Sequence, residues 1–97
     1  MTKKAVEAVI KWLPPEQGGK KNIISQIRYN PLIFFEGIDF GEVTWSADIY
    51  INDLTDYLES SVSLSFLVEW APFDLLKSGQ SFRLCEGGKL VATGTIV

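Results

Sequence analysis

The stretch that decides the fold is Phe82-Arg83-Leu84-Cys85-Glu86-Gly87-Gly88-Lys89-Leu90-Val91-Ala92-Thr93-Gly94-Thr95-Ile96-Val97. Two extended segments rich in apolar residues flank a Gly-Gly pair, and glycine adopts the positive φ angles of a tight hairpin turn without steric cost. The stretch therefore predicts an antiparallel β-hairpin. A second pair, Gly18-Gly19, stands before Lys20 near the other end of the chain and predicts another hairpin turn.

Alternation of apolar and polar residues marks the remaining strands. Apolar side chains recur at every second position from Val6 to Trp12, from Val43 to Ile51 and from Val62 to Trp70. This spacing is typical of half-buried β-strands. A further strand is predicted from about Ile27 to Phe35, in which Pro31 is tolerated only at an edge or a bulge. The predicted core comprises Val6, Ile10, Phe35, Val43, Trp45, Ile49, Leu64, Phe66, Phe82, Leu84 and Ile96.

Six strands with short connections and almost no helix predict an all-β antiparallel barrel or sandwich. A helical turn competes with the strand pattern only over residues 52–58. The 97 residues suffice for one domain, 1–97, with a single modest core. No apolar run approaches the roughly 18 residues of a membrane span. The lone Cys85 forms no internal disulfide, and we expect a cytoplasmic protein.

The charges are unevenly distributed along the chain. No lysine or arginine occurs between Tyr29 and Leu76, and that stretch holds nine of the 12 acidic residues, although the net charge is only −3. All nine basic residues lie in the two ends of the chain. An antiparallel barrel can pair these ends side by side, which predicts a basic face opposite an acidic one. The alternative is a set of solvated charges with no common face.

The residue types argue against catalysis. The chain has no histidine, which is the commonest general base and transition-metal ligand. Cys85 lacks an evident activating base and is expected to be an ordinary strand residue. The acids over 53–59 lack the central glycine of a calcium loop, and neither Gly-Gly turn has the spacing of a phosphate loop. We therefore expect no enzyme activity, metal, cofactor or small-molecule substrate.

Several short sequence motifs occur along the chain in the order found in a known family. A strand leads to Glu16-Gln17-Gly18-Gly19-Lys20, Arg28-Tyr29-Asn30-Pro31 precedes an aromatic strand, and Pro72 and Gly79 precede the final hairpin. This order resembles the carboxy-terminal barrel of elongation factor Tu, and the resemblance implies a closed six-stranded antiparallel β-barrel that stands alone without the GTPase domain. The chain departs from the family at Asn30, where the family has arginine, at Leu32, where it has glutamine, and at Glu59-Ser60-Ser61, where it has a Pro-Gly-Asp turn.

The resemblance also implies a function. In the family this barrel contacts the T stem of aminoacyl-tRNA and meets the exchange factor and the GTPase domain. A non-catalytic binding module for a translation-related RNA, such as tRNA, or for a translation factor is therefore expected. Lysines neutralise phosphates, and glycine lets the backbone approach a sugar closely. The binding residues carried over are Lys20, Lys21, Arg28, Tyr29, Glu86, Gly87 and Lys89. The family's chain path also implies that the two Gly-Gly-Lys turns lie side by side at one end of the barrel.

A protein-interaction module without RNA binding is the alternative function. Such a module would mimic, regulate or protect a translation factor or bind an inhibitor of one. The acidic stretch between Tyr29 and Leu76 would steer a basic protein partner toward it. Exposed aromatic residues would anchor that partner, although aromatic residues are more often part of the core. The candidate anchors are Trp12, Trp45, Trp70, Tyr50 and Tyr57.

Overall fold

The computed structural model describes residues 4–14, 28–39, 41, 43–56 and 58–97. Their backbone forms strands joined by turns, with one short 3-10 helix at Phe73–Leu75. The strands are β1 (Val6–Trp12), β2 (Arg28–Tyr29), β3 (Leu32–Phe35), β4 (Trp45–Asp56), β5 (Glu59–Phe66), β6 (Ser81–Glu86) and β7 (Lys89–Ile96).

The strand pairings form a closed ring. From β4 they lead through β3, β6, β7, β1 and β5 and then back to β4, and every pairing is antiparallel. The closed six-stranded antiparallel β-barrel predicted from the sequence is therefore confirmed, with β2 as one additional short strand. Closure leaves none of these six strands as an open sheet edge.

Strands β2 and β3 both pair with β4, one after the other along its length. Arg28 lies opposite Tyr50 and Ile33 lies opposite Trp45, which is one unchanged register on both sides of Pro31. The carbonyl of Pro31 still accepts a hydrogen bond of 2.8 Å from the amide of Ala47. Proline has no amide hydrogen to donate, so the strand predicted over 27–35 is divided at this residue.

The barrel interior holds most of the predicted core. Val6 and Trp45 are partly buried and pack against it. Val43 is 53% exposed, so its assignment to the core was wrong: it precedes the first residue of β4, where the ladder that would cover it has not begun. The predicted core residues that are buried are Ile10, Phe35, Ile49, Leu64, Phe66, Phe82, Leu84 and Ile96.

Gly94 makes room for an aromatic ring inside the barrel. It lies opposite Phe82 on β6 and Ile10 on β1. A Cβ atom added at Gly94 would lie 2.7 Å from Cε2 of Phe82, much closer than van der Waals contact. The absence of a side chain on β7 therefore allows the Phe82 ring to pack across the strand.

The barrel has two ends that differ in structure. At the turn end, β1 and β6 finish and β5 and β7 begin. At the loop end, β3 and β5 finish and β4 and β6 begin, and the connection over 71–76 packs across the barrel opening. Leu76 is buried there, and the Phe73 ring lies 5.3 Å from that of Phe66 in an edge-on arrangement. Among the described residues there is no helix of the length and apolarity that a bilayer crossing needs.

Candidate binding surface at the turn end

The hairpin between β6 and β7 turns at the predicted Gly-Gly pair. Glu86 lies opposite Lys89, with the two glycines between them. Gly87 has φ of 63°, whereas Gly88 does not have a positive φ. A positive φ at the first central residue alone matches a type II′ turn, which joins antiparallel strands in keeping with their natural twist. All four residues are exposed, so the turn offers its backbone to a partner.

A hydrogen bond ties this turn to a neighbouring strand. The hydroxyl of Tyr29 on β2 donates to Oε2 of Glu86. Burial of the phenol, together with this hydrogen bond and the nearby Glu86 charge, raises the pKa of Tyr29 well above its usual value. Tyr29 therefore stays protonated as a donor, and it holds the Glu86 carboxylate beside the turn.

Tyr29 is in turn supported from inside the barrel. Its ring centroid lies 5.7 Å from that of Trp12, which is buried at the end of β1. The indole Nε1 of Trp12 donates a buried hydrogen bond of 2.8 Å to Oγ of Ser60 on β5. Glu86, Tyr29, Trp12 and Ser60 thus form a chain of contacts, here called the turn-end brace, that joins four strands.

Arg28 is adjacent to Tyr29 in the chain but forms a separate contact. Its guanidinium forms an ion pair of 3.1 Å with the Asp48 carboxylate on β4. The Arg28 side chain is 66% exposed, so the pair lies close to solvent and contributes little to stability. Arg28 thus presents its positive charge with a carboxylate at its side.

The structure brings together four of the seven binding residues predicted from the sequence: Tyr29, Glu86, Gly87 and Lys89. Arg28 follows them on the same end of the barrel. Lys20 and Lys21 lie outside the described residues. The expected proximity of the two Gly-Gly-Lys turns involves these lysines and stays a prediction. The amide of Leu13 donates a bond of 2.9 Å to the carbonyl of Val91, which places the chain just after β1 beside the start of β7.

Within the part of the chain that the structure describes, the charges do not divide into a basic and an acidic face. Arg28 and Lys89 share the turn end with the carboxylates of Asp48 and Glu86. The clearest separation of charge is along the barrel axis, because the described residues of the loop end include four exposed acids and two lysines. The acids are Glu36, Asp39, Glu69 and Asp74, and the lysines are Lys4 and Lys77.

Two outward-facing cations lie on the outer wall of the barrel. Lys11 on β1 and Arg83 on β6 flank Thr93 in one cross-strand row. They line a shallow groove of about 540 Å³ together with Val9, Thr95 and Ser81. The groove lies on the outer wall of the barrel, and its open shape does not enclose a small molecule.

No group of three or more cysteine or acidic side chains among the described residues is positioned to hold a metal ion. Cys85 is a half-buried free thiol within β6, as expected for an ordinary strand residue.

Sequence reasoning missed Ser60 as part of the turn-end brace. A polar residue at 60 shares the inward face of β5 with Val62 and Leu64, and that interruption of an apolar face is the signal that marks it.

Comparison with known proteins adds no relative, since neither a protein-family model nor a curated protein sequence matches the chain.

Proposed function

We propose that this chain is a non-catalytic binding module whose turn end contacts an RNA of the translation apparatus. The observation that carries the proposal is the exposed Glu86–Lys89 turn, which the turn-end brace supports from within. A rigid surface loses little conformational entropy when a partner binds. The link to translation rests on the resemblance of the chain to the carboxy-terminal barrel of elongation factor Tu.

RNA suits the chemistry of the turn. Lys89 is exposed and can neutralise a backbone phosphate, and Gly87 has no Cβ to keep a sugar away from the backbone. Arg28 adds a second exposed cation on the neighbouring strand. The proposed contact surface also includes Lys20 and Lys21, which match the family's first turn.

A protein partner is the second candidate. It is favoured by the two carboxylates, those of Glu86 and Asp48, that accompany the cations at this end. Phosphates are repelled by carboxylates, whereas a protein surface of mixed charge can pair with both signs. A translation factor or an inhibitor of one would fit this description.

The salt dependence of RNA binding tests the proposal. A labelled RNA stem-loop carrying a tRNA-like T stem is titrated with the protein at several salt concentrations, and binding is followed by fluorescence anisotropy. Lys89→Glu should weaken the complex and reduce the slope of log K against log salt by about one, because one phosphate contact is lost. Lys77→Glu changes the same charge at the loop end and serves as the matched control.

Three results would contradict RNA binding at the turn. The first is no complex at low salt, and the second is an equal loss for Lys89→Glu and Lys77→Glu. The third is a slope that Lys89→Glu leaves unchanged. If the RNA does not bind but a translation factor does, and Lys89→Glu weakens that complex, a protein partner replaces RNA as the proposed ligand of the turn end.

A further inference from the structure

Large apolar side chains are exposed mainly at the loop end. Trp70 is 78% exposed and Val43 is 53% exposed, and Leu67 and Ile38 are exposed to a lesser degree. Among the described residues, the only other exposed large apolar side chains are Tyr50, at 39%, and the terminal Val97. Isolated exposed apolar residues are common on protein surfaces, but a concentration of them at one end is characteristic of interaction sites.

Two of these residues share a cavity. Ile38 and Val43, on either side of the turn between β3 and β4, line a cavity of about 280 Å³ with Phe34, Asp39 and Arg83. The cavity is open to solvent and is large enough for one aliphatic side chain. Leu67 extends the pairing of β5 with β4, since its amide donates a hydrogen bond of 3.0 Å to the carbonyl of Ser46.

Four carboxylates lie on the same connections as these apolar residues. Glu36 and Asp39 lie on the turn that carries Ile38, and Glu69 lies between Leu67 and Trp70 in the chain. Asp74 follows on the segment that covers the barrel opening. None of these four carboxylates forms an ion pair within the described part of the chain. Among the described residues they outnumber the cations at or near this end, which are Lys4, Lys77 and Arg83.

We propose that the loop end docks a protein segment that combines basic and apolar side chains. The apolar side chains would cover Trp70, Leu67 and the cavity at Ile38 and Val43, and the basic ones would pair with the unpaired carboxylates. Nucleic acid and anionic lipid do not fit this surface, because the same carboxylates repel phosphate groups. This docking surface is separate from the turn end and does not depend on RNA binding there.

The fluorescence of Trp70 gives a direct test. The probe is a labelled 12-residue peptide of alternating leucine and arginine, used beside one peptide with glutamate for arginine and another with serine for leucine. Only the first should bind and shift the tryptophan emission to shorter wavelength, because Trp70 leaves water on binding. Trp70→Phe should abolish that shift, since Trp12 is already buried and Trp45 packs partly buried against the core.

Matched variants locate the surface. Leu67→Ser and Glu69→Lys should each weaken peptide binding by about tenfold, as loss of a central contact typically does. Tyr50→Ser removes a comparably exposed aromatic residue away from the loop end and should leave binding unchanged. Lys89→Glu should also have no effect, which separates this test from the test of RNA binding. Circular dichroism and thermal unfolding establish that each variant is folded.

Several outcomes would overturn the proposal. They are equal binding of all three peptides, an equal effect of Tyr50→Ser and Leu67→Ser, and failure of the leucine–arginine peptide to bind the folded protein. A blue shift of Trp70 that grows with protein concentration alone, together with dimers in sedimentation, would assign the surface to a second copy of the chain instead.

Discussion

The two ends of the barrel are held together by different kinds of contact. At the turn end, β6 joins β7 through two glycines, and the brace from Glu86 to Ser60 links four strands through side-chain contacts. At the loop end, the long connection over 67–80 covers the opening with apolar side chains such as Phe73 and Leu76.

The contrast between the Glu86–Lys89 turn and the connection over 67–80 shows how the length of a connection affects the surface beside it. A tight turn leaves no spare chain, so polar groups near it bond to one another across the strands. A long connection must bury part of itself to become ordered, and the residues on its other side remain exposed. The Glu86–Lys89 turn with its brace therefore offers a rigid polar surface, and the loop end offers exposed apolar side chains on connections that also carry acids.

The largest expected effect comes from comparing two tryptophans. Trp12→Ala should lower the free energy of unfolding by about 3–5 kcal/mol, because it removes a buried ring from the turn-end brace. Trp70→Ala should change it by no more than about 0.5 kcal/mol, because that ring is exposed at the loop end. Urea denaturation followed by circular dichroism measures both. Similar losses for the two variants would remove the distinction between the ends.

A smaller effect is expected at the buried hydrogen bond of the brace. Ser60→Ala should cost about 1–3 kcal/mol, because the Trp12 indole N–H would remain buried without an acceptor. The neighbouring Ser61 is only partly buried, so Ser61→Ala should stay within about 0.5 kcal/mol of the wild type. The same denaturation measurement applies, and equal costs for these two adjacent serines would show that the indole bond does not stabilise the turn end.

The Tyr29 hydroxyl should contribute less, and its contribution should depend on pH. Tyr29→Phe is expected to cost about 0.5–1.5 kcal/mol near neutral pH, where the phenol donates to Glu86. The raised pKa means that folded Tyr29 stays protonated where the unfolded chain ionises. This stabilisation is fully present below the usual tyrosine pKa of about 10 and is lost as the pH rises above it.

Denaturation at pH 8 and at about pH 10.5 measures this loss. The wild type should lose more stability between the two conditions than Tyr29→Phe does, and Tyr50→Phe provides a control at an exposed tyrosine. A constant difference between wild type and Tyr29→Phe across this range would contradict the raised pKa.

Local sequence pattern was sufficient for much of the fold. Alternation is a property of neighbouring residues, so it identified the strands and buried residues such as Ile49 and Leu64. It failed where the alternation continues past the end of a strand pair. Val43 precedes β4, and Trp70 follows the end of β5 at Phe66, so the strand predicted through Trp70 stops short of it.

The turn-end brace could not be predicted from the local sequence pattern. Its two hydrogen bonds join residues 48 and 57 positions apart in the chain, and only the register of the closed barrel brings them together. The resemblance to the family drew attention to Tyr29 and Glu86 as contact residues. It gave no sign that these two side chains bond to each other, or that Ser60 supports them through Trp12.

The most direct test of a binding surface at the turn end is a nuclear magnetic resonance titration of ¹⁵N-labelled protein with the RNA stem-loop. The amides of Tyr29, Gly87 and Lys89 should shift in proportion to the RNA added, while those of Ile38, Leu67 and Trp70 at the loop end stay in place. Shifts confined to the loop end, or no shifts at all at low salt, would contradict RNA binding at the turn end.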